Sequence, residues 1–451
     1  MASLDLALAK LTLPLLALLA CFTTFYLSYR NGFLQQLLDI EHFGHFLPLS
    51  NLPMKSSWTA FGLFDKGLAP LDNLAVQFIA FFWPVVNGQN PALSLQGIHF
   101  LGQGAAVWVL LSIEGLRAGN AWRLVSMTTL LGLALENVLM ALILPLYCLL
   151  HLFTSPTIHP STSTTSYNSL PIVLLAHPTE LALLPVSIAL GFGVPTLAVL
   201  LSPTGSIAQQ TALVARQLHP LWAALAQIVL STTAGPLLLH HRTKAFRALI
   251  TPAARGRAIL KALRSVYAFG TTIAIVSHIA VLTLIVASQT TSGVLATGYK
   301  AYFAPAAVFE PPKLLEASTW ESGIGFVEGA HVFLKWDEIV SMAAVVVWAM
   351  GVNRAGVLDA GSGMGARREK RIMGVIGYGS EYWGVRLRML GWLIVGGPAA
   401  AAIKLIEERD AWWLVERRDE LDAAEEERVG RAKMVVLRGG AEKEKEKERK
   451  G

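Results

Sequence analysis

Runs of apolar residues, separated by short polar or basic stretches, follow one another along the chain to about residue 400. A helix that crosses a bilayer needs about 20 predominantly apolar residues, and most of these runs approach that length. The pattern predicts eight spans and a weaker ninth, at residues 11–28, 71–86, 96–113, 124–150, 181–201, 218–239, 266–287, 337–352 and 387–403. The predicted fold class is therefore all-α, a polytopic transmembrane helical bundle of about eight or nine spans with a charged C-terminal tail.

Composition supports this class, because 53% of the 451 residues are hydrophobic and only 15% are charged. Soluble domains carry about 25% charged residues. Charge gathers in two basic stretches, 240–264 and 353–386, and in the segment from Lys404 onward, which ends in EKEKEKERK. The predicted organisation is a transmembrane domain at 1–403 and a charged tail at 404–451 that passes from partly helical to disordered.

Counting spans places both basic stretches on the same side of the membrane as the N-terminus. The positive-inside rule then makes that side cytoplasmic. An integral, multi-pass protein of this class is expected in the endoplasmic reticulum. The sequence has no basic stripe interleaved with exposed aromatic residues, so nucleic acid is not a predicted partner.

One face of the third predicted span carries polar residues within an apolar helix. His99, Gln103, Glu114 and Arg117 share this face, in a series that runs through Ala106 and Leu110 at spacings of four, three, four, four and three. We expect them to face the bundle, because lipid would leave them unsatisfied. Glu114 and Arg117 can pair, which would hold Glu114 ionised as a positioned catalytic group. A helix-end ion pair of purely structural importance is the alternative.

Carboxylic acids inside predicted spans are the sharper candidates for chemistry. Glu136 lies about twelve residues into the fourth span, where burial favours the neutral acid that a proton donor needs. A structural hydrogen bond between helices is the alternative for Glu136. Asp337 opens the eighth span in this scheme and is predicted to meet Glu114 and Arg117 at one face of the bundle; the alternative is a structural carboxylate favoured at a helix start by the helix dipole. His278, midway along the seventh span, is either a substrate contact or a packing residue.

Aromatic residues accompany these groups, with Trp83 at the end of the second span and Trp108 in the third. Ring faces stabilise cations, although interfacial aromatic belts are the common alternative. The sequence lacks a P-loop, an HExxH motif, a G-x-S-x-G elbow and aspartate-rich metal-binding motifs. We therefore predict no metal site and no cofactor.

Four stretches, FFWPVVNG, SLQGIHFLGQ, IEGLRAGN and FLKWDEIV, resemble fungal integral-membrane terpene cyclases of meroterpenoid and indole-diterpene pathways, of the ascofuranone-cyclase type. The resemblance covers roughly residues 70–140 and 330–350. It implies acid-initiated cyclisation, by epoxide or alkene protonation, of a lipophilic prenylated precursor, with a prenyltransferase and a monooxygenase in the same pathway. The residues fit such chemistry with Glu114 or Glu136 as acid, Arg117 as positioning partner and Asp337 as second carboxyl. The expected substrate contacts are Trp83, His99, Gln103, Trp108 and His278.

Two other classes fit the same residues. A proton-coupled transporter would use Glu136 as its proton site and the proline-interrupted fifth and sixth spans as its broken helices. Against this class, the two halves of the chain show no repeat. A non-catalytic membrane protein would use its charged tail to recruit partners.

Overall fold

The computed structural model describes residues 2–39, 69–158, 172–233, 236, 252–290, 299–359 and 380–416. All regular structure in these ranges is helical, which confirms that the fold is all-α. The helices are α1 (Ala2–Ala20), α2 (Leu27–Arg30), α3 (Phe33–Leu38), α4 (Ala69–Val86), α5 (Pro91–Gly115), α6 (Thr128–Asn137), α7 (Met140–Thr154), α8 (Pro178–Ile188), α9 (Val194–Leu201), α10 (Ile207–Gln217), α11 (His219–Thr232), α12 (Pro252–Thr290), α13 (Pro305–Phe309), α14 (Phe326–Asp359) and α15 (Ser380–Ala411).

Helix α5 forms the centre of the bundle, and α12, α14 and α15 pack around it. Its residues 105–114 are all buried, so this helix has no face toward the surroundings along that length. Asn90 caps its first turn, accepting a hydrogen bond from the Leu93 amide at 3.1 Å, and Pro91 follows at the first helical position. The chain reverses between α4 and α5, with Gly88 at a φ of 72°.

The outer helices expose large apolar side chains instead. On α1, Leu8, Leu11, Leu15 and Leu18 are between 46% and 65% exposed, and α9 and α12 show similar surfaces. Five described segments are long and apolar enough to cross a membrane, or six if the bent pair α10–α11 counts as one span. These helices are compatible with a membrane protein. The predicted count of eight or nine spans is not confirmed.

The fourth predicted span is a single helix in the sequence pattern but two helices in the structure. Helix α6 ends at Asn137, Leu139 has extended backbone, and α7 begins at Met140. Glu136 therefore lies beside a break between helices, and the prediction that it sits midway along one span is wrong. The interruption predicted from Pro185 and Pro195 is present as a π-helical turn, Ala189–Gly193, between α8 and α9.

The eighth predicted span starts earlier than the apolar pattern indicated. Asp337 lies well inside α14, which begins at Phe326, so it does not mark a helix start. Residues 252–264 of the first basic stretch belong to α12, and Arg386, at the end of the second, belongs to α15. Residues 240–251 and 360–379 lie outside the described part of the chain.

The C-terminal helix extends past the predicted boundary at residue 403. Helix α15 continues through Lys404 to Ala411, followed by a π-helical turn, Trp412–Glu416. Leu405, Ile406, Arg409, Asp410 and Leu414 are buried in the bundle. The first part of the predicted tail is thus a core element, while residues 417–451 lie outside the described residues.

Helix α15 is interrupted at Gly397, where φ is 78° and the backbone leaves helical geometry just before Pro398. The Gln103 amide fills this break. Its Nε2 donates to the carbonyl oxygens of Gly396 at 3.2 Å and Ala274 at 3.0 Å, and its Oε1 accepts from the Ala399 amide at 3.0 Å. A Cβ at Gly397 would lie 2.7 Å from Gln103 Oε1, so the site requires glycine.

Replacing Gln103 with methionine should leave the Gly396 carbonyl and the Ala399 amide without partners. We expect the free energy of unfolding to fall by about 1–3 kcal/mol, because a buried polar group without a hydrogen bond costs that much. Thermal unfolding of the purified protein in detergent measures the effect. Gln89→Met, at an exposed turn position, is the control and should change stability by less than about 0.5 kcal/mol. Equal stability of the two variants would contradict the role assigned to Gln103.

Candidate active site

The predicted site residues separate into five places in the structure. Trp108, Glu136 and Asp337 line one cavity, and His99 lines a second cavity with His278 beside it. Glu114 and Arg117 belong to a buried ion cluster that lines neither cavity. Trp83 packs in a small apolar cluster. The Gln103 side chain is hydrogen-bonded to the backbone at the break in α15. The predicted meeting of Asp337 with Glu114 and Arg117 at one face is therefore wrong.

The buried ion cluster holds four charges that sum to zero, from Glu114, Arg117, Arg409 and Asp410. Glu114 Oε1 accepts from Arg117 Nε at 2.8 Å and from Arg409 Nη2 at 2.9 Å. Asp410 Oδ2 accepts from Arg117 Nη2 at 2.7 Å. The predicted pairing of Glu114 with Arg117 is confirmed, but each carboxylate also meets a charge from another part of the chain.

Neutral side chains complete the cluster. Tyr267 donates its hydroxyl to Asp410 at 2.6 Å. Trp348 donates its indole N–H to His151 Nδ1 at 3.2 Å, so His151 carries its proton on Nε2 and can donate to Glu114 at 3.3 Å. Burial lowers the pKa of Arg117, but the carboxylates of Asp410 and Glu114 outweigh this and hold that pKa well above its usual range. These hydrogen bonds tie α5, α7, α12, α14 and α15 together.

The larger cavity, of about 510 Å³, has the size of a small-molecule site. It lies between α4, α5, α6 and α14, with α10 and the start of α11 completing the wall. Aromatic rings make up much of its lining: Phe25, Phe78, Phe81, Phe82, Phe100, Phe192, Phe333 and Trp108. Such a surface suits an apolar ligand and can stabilise positive charge that develops on it.

Two carboxyl groups interrupt this apolar lining. Glu136 Oε2 accepts a hydrogen bond from Arg216 Nη1 at 2.8 Å, so this acid has a cationic partner on the cavity wall. Asp337 Oδ1 accepts from the Ala141 amide at 2.6 Å, at the start of α7. In the part of the chain that the structure describes, no cation pairs with Asp337. The break between α6 and α7 brings the two acids to one region, since Ala141 follows Glu136 by only five residues.

Arg216 and His219 are lining residues that the sequence analysis did not identify. Arg216 is in the last turn of α10 and lies over the rings of Phe82 and Phe192, with its guanidinium carbon 5.7 Å and 5.5 Å from their centroids. His219 begins α11 after a bend of 71° between the two helices. The run ARQLHP shows a basic residue and a histidine three positions apart beside a proline, a signal that could have indicated a broken helix with polar contacts.

The second cavity, of about 480 Å³, is lined by Gln96, His99, Lys335 and Glu338 together with apolar residues of α14 and α15. His99 Nδ1 is hydrogen-bonded to Glu338 Oε1, and His99 Nε2 lies 2.8 Å from His278 Nδ1. SLQGIHFLGQ and FLKWDEIV, which carried much of the resemblance, therefore meet at this contact. Among the described residues, no group of three or more His, Cys, Asp or Glu is arranged to hold a metal ion.

The comparisons with known proteins agree on one family. The CtvD domain model matches residues 9–414, which is most of the chain. The chain belongs to the CtvD family. No solved structure matches it.

Curated relatives in this family carry the name terpene cyclase. The chain is 28% identical to terpene cyclase ctvD of Aspergillus terreus over 76% of its own length and 87% of that protein. It is 30% identical to terpene cyclase ascI of Acremonium egyptiacum, over 76% and 78% of the two chains, and 26% identical to terpene cyclase atmA of Aspergillus flavus, over 87% and 95%. The predicted family is confirmed, and with it an enzyme of the terpene cyclase class.

Removing one member of the ion cluster should destabilise the protein strongly. Asp410→Ala leaves Arg117 and Arg409 with one carboxylate between them, and we expect a loss of about 3–5 kcal/mol in the free energy of unfolding. Glu408→Ala is a matched control two residues away, where the pair with Arg388 is largely exposed and should contribute about 0–1 kcal/mol. Thermal unfolding in detergent compares the two; similar losses would show that the cluster is not a major source of stability.

Proposed function

We propose that the aromatic cavity is the active site of a membrane-bound terpene cyclase, in which Asp337 is the general acid and Glu136 the counter-charge and base. The observation that carries this proposal is the presence of two carboxyl groups in different electrostatic settings on the wall of one aromatic cavity. Glu136 has a cationic partner and Asp337 has only a backbone amide among the described residues. Environments of this kind separate an acid from a base.

The first step is proton transfer from the Asp337 carboxyl to the oxygen of an epoxide, or to a carbon of an alkene, on a prenyl chain. In the epoxide case the C–O bond breaks as the oxygen takes the proton. The electron pair of a nearby double bond then forms the new ring C–C bond and moves the positive charge along the chain. The phenylalanine rings and Trp108 stabilise that charge while the apolar wall keeps water away.

The last cation is resolved in one of two ways that leave the atoms balanced. It loses a proton from a neighbouring carbon to form an alkene, or it is captured by a hydroxyl of the same substrate, which then gives up its proton. In either case Glu136 receives the proton, which exchanges back to Asp337 before the next turnover. The product has the same elemental composition as the substrate.

Glu114 and Arg117 have a structural role in this proposal, in contrast to the catalytic roles considered from the sequence. Their hydrogen bonds go to other members of the ion cluster and to the Leu174 carbonyl, and neither residue lines a cavity. Glu114 and Arg117 are also far from the polar residues near the start of α5. His99 and Glu114 are 15 residues apart, which is about 22 Å along the helix axis. We keep Trp108 as a cavity residue and leave Trp83, Gln103, His99 and His278 out of the reaction.

The cellular setting belongs to the same proposal. The family names of the relatives and the exposed apolar helices support a lipophilic, prenylated substrate that reaches the cavity from a bilayer. We propose a multi-pass protein of the endoplasmic reticulum with its N-terminus in the cytoplasm. A prenyltransferase and an epoxidising monooxygenase would supply the substrate.

Asp337→Asn should lower the rate of cyclisation by about 10²–10⁴-fold, because the amide keeps the acceptor for the Ala141 amide but cannot donate a proton. Glu136→Gln keeps the bond to Arg216 and should show a loss in the same range. Product formation from a prenylated epoxide in microsomes, resolved by mass spectrometry, measures both. Glu328→Gln, an exposed carboxyl on the same helix as Asp337, is the control. Full activity in both cavity variants would refute the proposed mechanism.

An aromatic ring of the lining should affect the rate less than either acid. Phe333→Leu keeps most of the apolar volume but removes the ring face, so a loss of about 0.5–2 kcal/mol in cation stabilisation predicts a decrease of about 2–30-fold in kcat. Phe153→Leu, at an exposed position outside the cavity, serves as the control. A Phe333→Leu enzyme with wild-type kcat and an unchanged product distribution would argue against charge developing at this wall.

A further inference from the structure

The second cavity, which takes no part in the proposed reaction, has one polar end and one apolar end. Gln96, His99, Lys335 and Glu338 lie together at the polar end. Beyond Glu338, α14 contributes only apolar side chains to the lining, at helical spacing: Ile339, Met342, Ala343, Val346 and Val347. Lys335 and Val347 are 12 residues apart, which is about 18 Å along the helix axis. The cavity is therefore an elongated groove with a single polar end.

The groove reaches the outer surface of the bundle. Ile339, on its wall, is 39% exposed, and Ile394, next to the lining residue Leu393, is 64% exposed. Leu393 and Ile394 belong to α15, within one of the described segments that are long and apolar enough to cross a membrane. Exposed apolar side chains on such a segment face lipid. An acyl chain can therefore enter the groove sideways from the bilayer.

The charge of Glu338 is already compensated by two histidines. Glu338 is hydrogen-bonded to His99 Nδ1, His99 Nε2 lies 2.8 Å from His278 Nδ1, and His278 Nε2 lies 3.1 Å from the Ile394 carbonyl oxygen. Each of these three contacts needs one proton. Three protons on two imidazoles and one carboxyl give a net charge of zero, wherever along the chain each proton sits. Glu338 therefore provides no net negative charge for a neighbouring cation.

Lys335 is the charge at the polar end that has no counter-charge. It is only 8% exposed, and among the residues that the structure describes its ammonium group forms no hydrogen bond and no ion pair. Glu310, the acid whose charge acts on it, is exposed just after α13 and does not pair with it. On the same wall, Gln96 Oε1 is buried without a hydrogen-bond donor. A buried cation and a buried acceptor without partners are costly unless a ligand supplies them.

These groups define the chemistry of the ligand. A single uncompensated positive charge matches a monoanion, and a phosphodiester carries one negative charge. The apolar length of the groove and its opening toward lipid match the acyl chain of a phospholipid. A hydroxyl on the headgroup would donate to Gln96 Oε1, whereas a choline headgroup has no proton to donate. Basic pockets between transmembrane helices recognise anionic lipid headgroups by the same attraction.

We propose that the groove between α5, α14 and α15 binds an anionic phospholipid with a hydroxyl-bearing headgroup, of the phosphatidylinositol type. Lys335 binds the phosphate, and Gln96 accepts a hydrogen bond from a headgroup hydroxyl. One acyl chain lies along α14 from Ile339 to Val347, and the other stays in the bilayer. This site is separate from the aromatic cavity and does not depend on the reaction proposed there.

Native mass spectrometry of the full chain, released from detergent micelles, counts the bound lipids and identifies each by its mass. Dioleoyl phosphatidylinositol and dioleoyl phosphatidylcholine have the same acyl chains and differ only in the headgroup. The wild-type protein should bind one molecule of phosphatidylinositol at least about ten-fold more tightly than phosphatidylcholine. A hydrogen bond to a charged group is sufficient for a difference of that size.

Substitutions separate the headgroup contact from the groove. Lys335→Gln should weaken phosphatidylinositol binding by at least about ten-fold and leave phosphatidylcholine binding unchanged, which also shows that the variant is folded. Lys335→Arg keeps the charge and should retain most of the preference. Lys313→Gln removes the same charge from a side chain that is 70% exposed, and should behave as the wild type. Ala343→Phe fills the apolar part of the groove without a change in charge and should weaken both lipids.

The proposal is overturned if the wild-type protein binds the two lipids equally, or if Lys335→Gln keeps the full preference. Competition identifies the source of the anion. If sodium oleate displaces phosphatidylinositol at a ten-fold lower concentration, the occupant is a single-chain carboxylate and the phospholipid assignment is wrong. If inorganic phosphate displaces it at an equal concentration, the groove contributes nothing and the acyl-chain contact is wrong. Failure of both competitors, together with loss of binding in Lys335→Gln and Ala343→Phe, supports the proposed lipid site.

Discussion

A carboxylate inside an apolar helical bundle must be paired with a cation, be hydrogen-bonded by several donors, or take up a proton. This constraint organises the interior of the protein. Glu114 has Arg117 and Arg409, Glu136 has Arg216, and Glu338 has His99. Asp337 has one backbone amide and no cation in the described residues. The acid with the least compensation lies on the wall of the aromatic cavity, and this difference supports the assignment of its role.

The parts of the site that could be predicted from sequence depend on local periodicity. The polar stripe on α5 follows from spacings of three and four, and its members are buried as expected. The pairing of Glu114 with Arg117 follows from the same geometry. Asp337 and Glu136 were selected because acids are rare in apolar segments, and both line the cavity. Each of these inferences depends only on the type and spacing of residues along one helix.

The remaining features depend on contacts between distant segments, which local patterns do not contain. Arg409 and Asp410 stand at the beginning of a strongly charged stretch, so composition indicated a solvated tail, yet both are fully buried against Glu114 and Arg117. The break at Leu139 lies in a largely apolar stretch with no proline or glycine beside it, where only Glu136 and Asn137 interrupt the apolar pattern. Asp337, from α14, accepts the amide hydrogen bond at the start of α7, and this long-range contact stabilises the break.

Asp337 and Glu338 show how a helix can serve two cavities with adjacent residues. Successive side chains on an α-helix point about 100° apart, so Asp337 lines the aromatic cavity while Glu338 lines the second cavity with His99. The motif FLKWDEIV therefore cannot be assigned to one site as a unit. The two acids also differ in pairing, because Glu338 pairs with the imidazole of His99, while among the described residues Asp337 has only the Ala141 amide as a partner. For a reaction that needs a proton donor next to an aromatic wall, Asp337 is therefore a better candidate than Glu338.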